Sequence, residues 1–316
     1  MIATVTLNPA LDIILEVEEL KLDHYNKVHN VRSTAGGKGI NVSKAIKSCQ
    51  WDTVTLGFVG GNRGRIVEEE LRSSGITTNF WHIEGETRSN IIIWDKKRNY
   101  HTLLSETGPL ITEYDLEMFY SIYSRVMSQC KAVTLSGSLP PGVPVDVYSK
   151  LISIAKEREV KTILNAAGEA FERGLEKGPY LAKPDLREKN QILGKNINNE
   201  KDAIQIAQEI TQKGAEIAVV SFEQKKDIIA THQELWFAET VHHQIVNLIG
   251  AADALVAGLA VALTEEEQEF SEAIKFSMAA ALASALREEE EFNSREEVEN
   301  CLPYVKIKKY QNLVKR

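Results

Sequence analysis

Near residue 250 the chain reads Val246-Asn247-Leu248-Ile249-Gly250-Ala251-Ala252-Asp253, and a long apolar run follows to Leu263. The small residues Gly250, Ala251 and Ala252 leave backbone N–H groups unblocked at a helix start, where unsatisfied donors and the macrodipole favour an anion. Asp253 sets a carboxylate at that same place, which repels an anion unless it has a chemical task. Taking a proton from a hydroxyl that attacks a phosphate is such a task. The plain alternative is that Asp253 only favours the first helical turn.

Four other segments carry residues of the same kind. Ala35-Gly36-Gly37-Lys38-Gly39-Ile40-Asn41 opens a second helix with three glycines, which let a backbone approach a ligand closely, and one lysine that can neutralise a phosphate. It is not a Walker A loop, because Arg32 stands where the first glycine belongs and Gly39 where Ser or Thr must hold magnesium. Asn8 and Asp12 are expected at the carboxyl tip of the first strand, where Asp12 either accepts from sugar hydroxyls or merely ends the strand. Arg88, in Thr87-Arg88-Ser89-Asn90, has the fork geometry for a phosphate but also suits a solvated surface. Ser136-Gly137-Ser138-Leu139-Pro140-Pro141-Gly142 is a rigid turn of small hydroxyl residues and prolines, fit for ligand contact or for a plain strand end.

These residues need a frame to bring them together. Short apolar, β-branched runs at Ile2–Leu7, Val54–Phe58, Ala132–Leu135, Thr162–Leu164 and Ile217–Ser221 read as buried parallel strands. Helical patterns at Gly39–Ser48, Arg65–Ser74, Glu113–Met127, Val145–Arg158 and Lys201–Lys213 alternate with them, as in a doubly wound α/β sheet whose ligands bind beyond the carboxyl ends of the strands. Ile13–Val17 with Lys27–Arg32, and Ser89–Trp94 with Tyr100–Leu104 around the turn Lys96-Lys97-Arg98-Asn99, read as antiparallel ribbons outside that core. An exposed ribbon must cover a substrate or another subunit. From Gly250 onward the chain reads as nearly all helix.

Composition narrows the function. Of 316 residues, 45 are acidic and 37 basic, a net charge of −8 that gives nucleic-acid binding no global support. An anionic ligand must then be held by a few local cations. Much of the acidity falls in Glu265–Glu267 and Glu288–Glu291, read as solvated helix ends. Three widely spaced cysteines argue against a disulfide framework or a zinc site. With no basic leader at the start and no apolar run long enough for a bilayer, a cytoplasmic protein without membrane partners is expected.

Taken in order, Thr6–Asp12, Gly36–Asn41, Gly57–Gly64, Thr87–Asn90, Gly137–Gly142, Lys183–Glu188 and Gly250–Asp253 resemble the motifs of the ribokinase-like phosphofructokinase B family, most closely its sugar-phosphate branch, over essentially the whole chain. The resemblance implies one ribokinase-like α/β domain over 1–316, with a discontinuous β lid from about 13–33 and 89–104 that also forms a homodimer contact. It implies ATP and Mg2+ as cofactors and a sugar phosphate as substrate. Asp253 becomes the general base, and the N–H groups of Gly250, Ala251, Ala252 and Asp253 stabilise the transferring phosphoryl group. Asp12, Gly36, Gly37, Asn41, Asn90 and Ser138 line the sugar pocket, and Lys38 and Arg88 hold the phosphate already on the sugar. Lys183, Asp185, Glu188, Ser221 and Gly250 face ATP, with Glu188 helping to organise magnesium indirectly.

The departures from the family pattern lie on the ATP side. Ala252 replaces the third residue of Gly-Ala-Gly-Asp, Asp185 the Asn of Lys-Pro-Asn, and Asn165 a strand-end aspartate. Ser221-Phe222-Glu223-Gln224-Lys225-Lys226 lacks both glycines of Ser-x-Gly-x-x-Gly. If position 252 needs positive φ, alanine there costs about 1 kcal/mol or more; in an ordinary first turn it costs almost nothing. The expected activity is ATP-dependent phosphorylation of a ketohexose phosphate to the bisphosphate, with fructose 1-phosphate as first choice and tagatose 6-phosphate or fructose 6-phosphate as alternatives. A degenerate kinase that binds sugar phosphate without efficient turnover is the reading the departures favour. A kinase of unphosphorylated sugars would not need both Lys38 and Arg88.

Overall fold

All five residues of the strand Ile2–Thr6 are buried, so both of its faces must be covered. The computed structural model, which describes residues 1–186, 191–223, 225–241, 245–265, 269–287 and 292–310, shows how. Ala3 and Val5 pack with Phe119, Tyr123, Tyr148 and Leu151 on one side of the sheet. Ile2 packs with Val42, Ile46 and Val256 on the other. The doubly wound sheet expected from the β-α alternation is present.

Its central strands run in the order Ile217–Ser221, Leu181–Ala182, Lys161–Asn165, Ala132–Ser136, Ile2–Thr6, Thr53–Val59 and Thr77–Thr78, all parallel. Strand order reverses beside Ile2–Thr6, whose neighbours are the next core strand on one side and Ala132–Ser136 on the other. Such a switch leaves a crevice beyond the carboxyl ends. The far edge departs from expectation: Lys226–Thr231, Leu235–Thr240 and Val305–Lys309 extend the sheet antiparallel from Ile217–Ser221. The last of these follows the helices Ala251–Ala262, Phe270–Ala285 and Arg295–Cys301, so the region after Gly250 ends in a strand among the described residues. It is an edge strand with alternating lysines, the usual protection of an exposed edge.

A second sheet of four strands has the order Asn30–Gly36, Ala10–Val17, Arg88–Asp95, Tyr100–Ser105. Its two antiparallel ribbons are joined by a parallel pairing that sets Asp12 opposite Asn90 and Ala10 opposite Arg88. Asp12 therefore does not end the first strand of the core. Leu7-Asn8-Pro9 turns the chain, proline having no N–H to continue a ladder, and Asp12 sits inside the next strand. Among the described residues no helix is long and apolar enough to cross a membrane. Glu188, Gln224, Glu266, Glu267 and the run Glu288–Glu291 lie outside the described residues.

Candidate active site

Two helix starts converge on the crevice. The Lys38–Ser48 helix begins after Gly37 and the Ala251–Ala262 helix after Gly250, and neither has a side-chain cap. Each thus keeps first-turn N–H groups free of side-chain acceptors, although that of Ala251 donates to the Leu248 carbonyl at 3.3 Å. Gly250 has φ 83°, a left-handed conformation that glycine adopts without a Cβ penalty. Ala252 lies within the helix and is not among the residues with positive φ. Alanine is therefore conformationally suited to this position.

Asp253, in the first turn, is only 1% exposed. Asn41, one turn into the other helix, donates from Nδ2 to Asp253 Oδ2 at 3.1 Å. That bond ties the two helix starts together. Asn41 also lines a cavity of about 300 Å³ with Asp12, Gly37, Lys38, Arg88, Asn90, Ser138 and Asp185.

The small sheet supplies one wall as a chain of hydrogen bonds. Arg88 donates to Ser105 Oγ at 2.8 Å, Ser105 to Asn90 Oδ1 at 2.5 Å, and Asn90 Nδ2 to Asp12 Oδ1 at 2.6 Å. Arg88 is further held by the carbonyls of Asn8 and Glu106. Burial pushes the Asp12 carboxyl up to about 6, against the opposing pull of the Asn90 hydrogen bond and the Arg88 and Lys44 charges. Gly36 lies against that carboxylate so closely that any Cβ would overlap it. A residue type, not only a backbone angle, is thus fixed at position 36.

Lys38 forms an ion pair with Asp185 across the cavity. The backbone N–H of Asp185 donates to the Ala166 carbonyl at 2.9 Å, anchoring the turn that carries it. Lys183 is buried, and its charge acts on Asp227, a carboxyl raised above its ordinary range by burial. Ser221 donates to Asp227 at 2.5 Å. Lys183, Ser221, Gly36 and the Gly250–Asp253 stretch do not line the 300 Å³ cavity; Gly36 and Asp253 touch its lining at Asp12 and Asn41. Glu223 has φ 134°, in the region that favours glycine, and pairs with Lys226 at 2.7 Å.

Ser105 was not singled out by the sequence, although it joins Arg88 to Asn90. The signal was present in the hairpin. Counting outward from the turn Lys96–Asn99 sets Asn90 opposite Ser105, and side chains of directly opposed residues share a face. Ile249 and Gly137 also line the cavity, Gly137 against the stem of Lys38.

The family model for pfkB family carbohydrate kinases matches residues 5–296. The chain belongs to the pfkB family. Within that family it is 31% identical over 307 residues to the 1-phosphofructokinase of Bacillus subtilis (strain 168), covering 97% of this chain and 99% of that protein. A Thermotoga maritima protein named as a possible 1-phosphofructokinase superposes with a TM-score of 0.92 at 35% identity, covering 98% of this chain and all of that one. An Arabidopsis thaliana ribokinase shares the fold at a TM-score of 0.75 and 18% identity, covering 95% and 98% of the two chains. This pfkB member is an ATP-dependent sugar-phosphate kinase with a ribokinase-like fold.

Proposed function

We propose that this kinase phosphorylates fructose 1-phosphate at its free primary hydroxyl, with Asp253 as the general base. The observation that carries this reading is the Asn41–Asp253 bond, which joins a buried carboxylate at an uncapped helix start to the wall of a cavity bearing Lys38 and Arg88. Asp253 takes the hydroxyl proton as the oxygen attacks, and the N–H groups at Gly250, Ala251, Ala252 and Asp253 offset charge on the transferring phosphoryl group. Asp12, Asn41, Asn90 and Ser138 orient the sugar over Gly36 and Gly37. Lys38 and Arg88 hold the phosphate already on it. The likeness to 1-phosphofructokinases supports this acceptor over tagatose 6-phosphate or fructose 6-phosphate.

Lys183, Asp185 and Ser221 serve the nucleotide side of the crevice, together with Glu188. Magnesium binds through one or two carboxylates, water and substrate phosphates, and the Asp185 carboxylate on the cavity wall is a donor of that type. When bound, the ion would neutralise phosphate charge. The small sheet serves as the lid, and its exposed Val31, Tyr100, Leu103 and Leu104 fit a homodimer contact through it. Three free cysteines suit the cytoplasm.

The test is ADP release from ATP and magnesium with each of the three ketohexose phosphates in turn. Turnover should be fastest with fructose 1-phosphate. A faster rate with either 6-phosphate overturns the acceptor assignment. Binding without turnover for all three overturns the reaction and leaves a sugar-phosphate binding protein.

A further inference from the structure

In the family motif that Lys183–Glu188 resembles, the residue after Lys-Pro is a neutral asparagine. This chain has Asp185, and its carboxylate is paired with Lys38 on the cavity wall. Both side chains are largely shielded from water, at 17% and 10% exposure, so their attraction is weakly screened. Lys38 is also the first residue of a helix whose start has no capping side chain and no acidic residue in its first turn. Asp185 therefore brings to Lys38 the charge that a bound anion would bring.

We propose that Asp185 is an internal stand-in for the acceptor's phosphate, which keeps simple anions off Lys38 and reserves the site for a sugar phosphate. The proposal rests on the reading of Lys38 as a phosphate-holding residue. An inorganic phosphate ion must displace or sit beside a carboxylate to reach Lys38, and beyond the cations Lys38 and Arg88 it leaves the sugar-hydroxyl partners of the cavity unused. A sugar phosphate gains further hydrogen bonds at the wall built by Asp12, Asn90 and Asn41. Those contacts carry it past the carboxylate. Selectivity then comes from a repulsive element facing the wrong ligand, as well as from attraction to the right one. Removing the charge should raise affinity for both ligands and raise it more for the simple anion.

The test is calorimetric titration of inorganic phosphate, and separately of fructose 1-phosphate, into the full chain and two variants. Asp185→Asn should bind inorganic phosphate about tenfold tighter or more, the effect of removing one like charge next to the ligand. The gain should vanish in Asp185→Asn/Lys38→Met. The preference for fructose 1-phosphate over inorganic phosphate should narrow in Asp185→Asn. Unchanged phosphate affinity in Asp185→Asn, or a gain that survives loss of Lys38, overturns the proposal. Thermal melts report folding, and Asp185→Ser removes the same charge should the asparagine variant not fold. Because the phosphate titration needs no turnover, it stands apart from the acceptor assay. Turnover of fructose 1-phosphate with unaltered phosphate binding sinks only this inference; altered phosphate binding without turnover sinks only the proposed reaction.

Discussion

The two halves of the crevice are built differently. On the wall made by the small sheet, Arg88, Ser105, Asn90 and Asp12 form one unbroken hydrogen-bonded chain from three strands. On the half proposed to take the nucleotide, where the sequence departs from the family pattern, acids stand where neutral or glycine residues are usual, and each is found against a lysine. Asp185 pairs with Lys38 and Glu223 with Lys226. One half is thus ordered by neutral and charged groups that complement one another in sequence-conforming motifs. The other has exchanged neutral positions for charge pairs. A substituted motif need not be an emptied one, since its new charge has been absorbed locally.

The largest effect is expected at Asp253, the residue both halves share. Asp253→Asn should lower kcat by roughly 100-fold or more with the acceptor KM little changed, as removal of a general base does. A loss of less than tenfold in the ADP-release assay would show that another group takes the proton.

Next in size is Asp12, the end of the hydrogen-bonded chain. Asp12→Asn keeps shape but loses the acceptor pattern, so the KM for fructose 1-phosphate should rise about tenfold or more, the loss of one or two hydrogen bonds to a charged group. The same variant should be more stable than the parent. Burial raises the folded carboxyl to about 6 from an ordinary 3.8, so the folded state holds a proton that the unfolded chain has released between those values. The parent's stability therefore falls as pH rises through that window. The variant's advantage should be on the order of 1–3 kcal/mol at pH 7, a shift of about two units, and should vanish below pH 4. Chemical denaturation at pH 7 and pH 4 measures both. An advantage that does not shrink at low pH would mean that burial of Asp12 is not its source.

How much of this was written in the sequence depended on range. The helix Glu113–Met127 and the strand Ile217–Ser221 match their sequence patterns end to end, because periodicity and flanking turns are local. The resemblance located the stretches that line the cavity for the same reason. Asp12 was assigned to the wrong strand because the break at Leu7-Asn8-Pro9 is only three residues long and buried residues continue across it. Leu181–Ala182 is too short to carry any period. The antiparallel edge was missed since Val305–Lys309 alternates lysines with apolar residues, half-exposed and next to helices. The Lys38–Asp185 pair was out of reach altogether. Each residue was visible as a motif member, but nothing local says that two turns from distant parts of the chain face one another.

The substituted half yields smaller effects. Glu223 holds φ 134°, a conformation that costs a non-glycine residue about 1–3 kcal/mol. Its pairing with Lys226 is 60% exposed on the glutamate side and offsets little of that. Glu223→Gly should therefore raise stability by about 1 kcal/mol and tighten nucleotide binding a few-fold as an acid leaves the phosphate side. Denaturation midpoints and a titration with a non-hydrolysable ATP analogue would measure the two. A loss of stability would mean that the ion pair outweighs the backbone conformation.

Ala252→Gly should have the smallest effect and separates two views of the third motif position. If alanine there impairs the anion site, restoring glycine raises kcat. The structure favours the other outcome, because Ala252 is exposed and lies in a regular first helical turn with no positive φ for glycine to relieve. Glycine costs a helix roughly 0.5–1 kcal/mol relative to alanine. The variant should therefore lose a few tenths to about 1 kcal/mol of stability and keep kcat within about twofold of the parent. A rise of tenfold in kcat would instead show that the methyl group of Ala252 crowds the transferring phosphoryl group, and would place the nucleotide half's weakness at this position and not at its charge pairs.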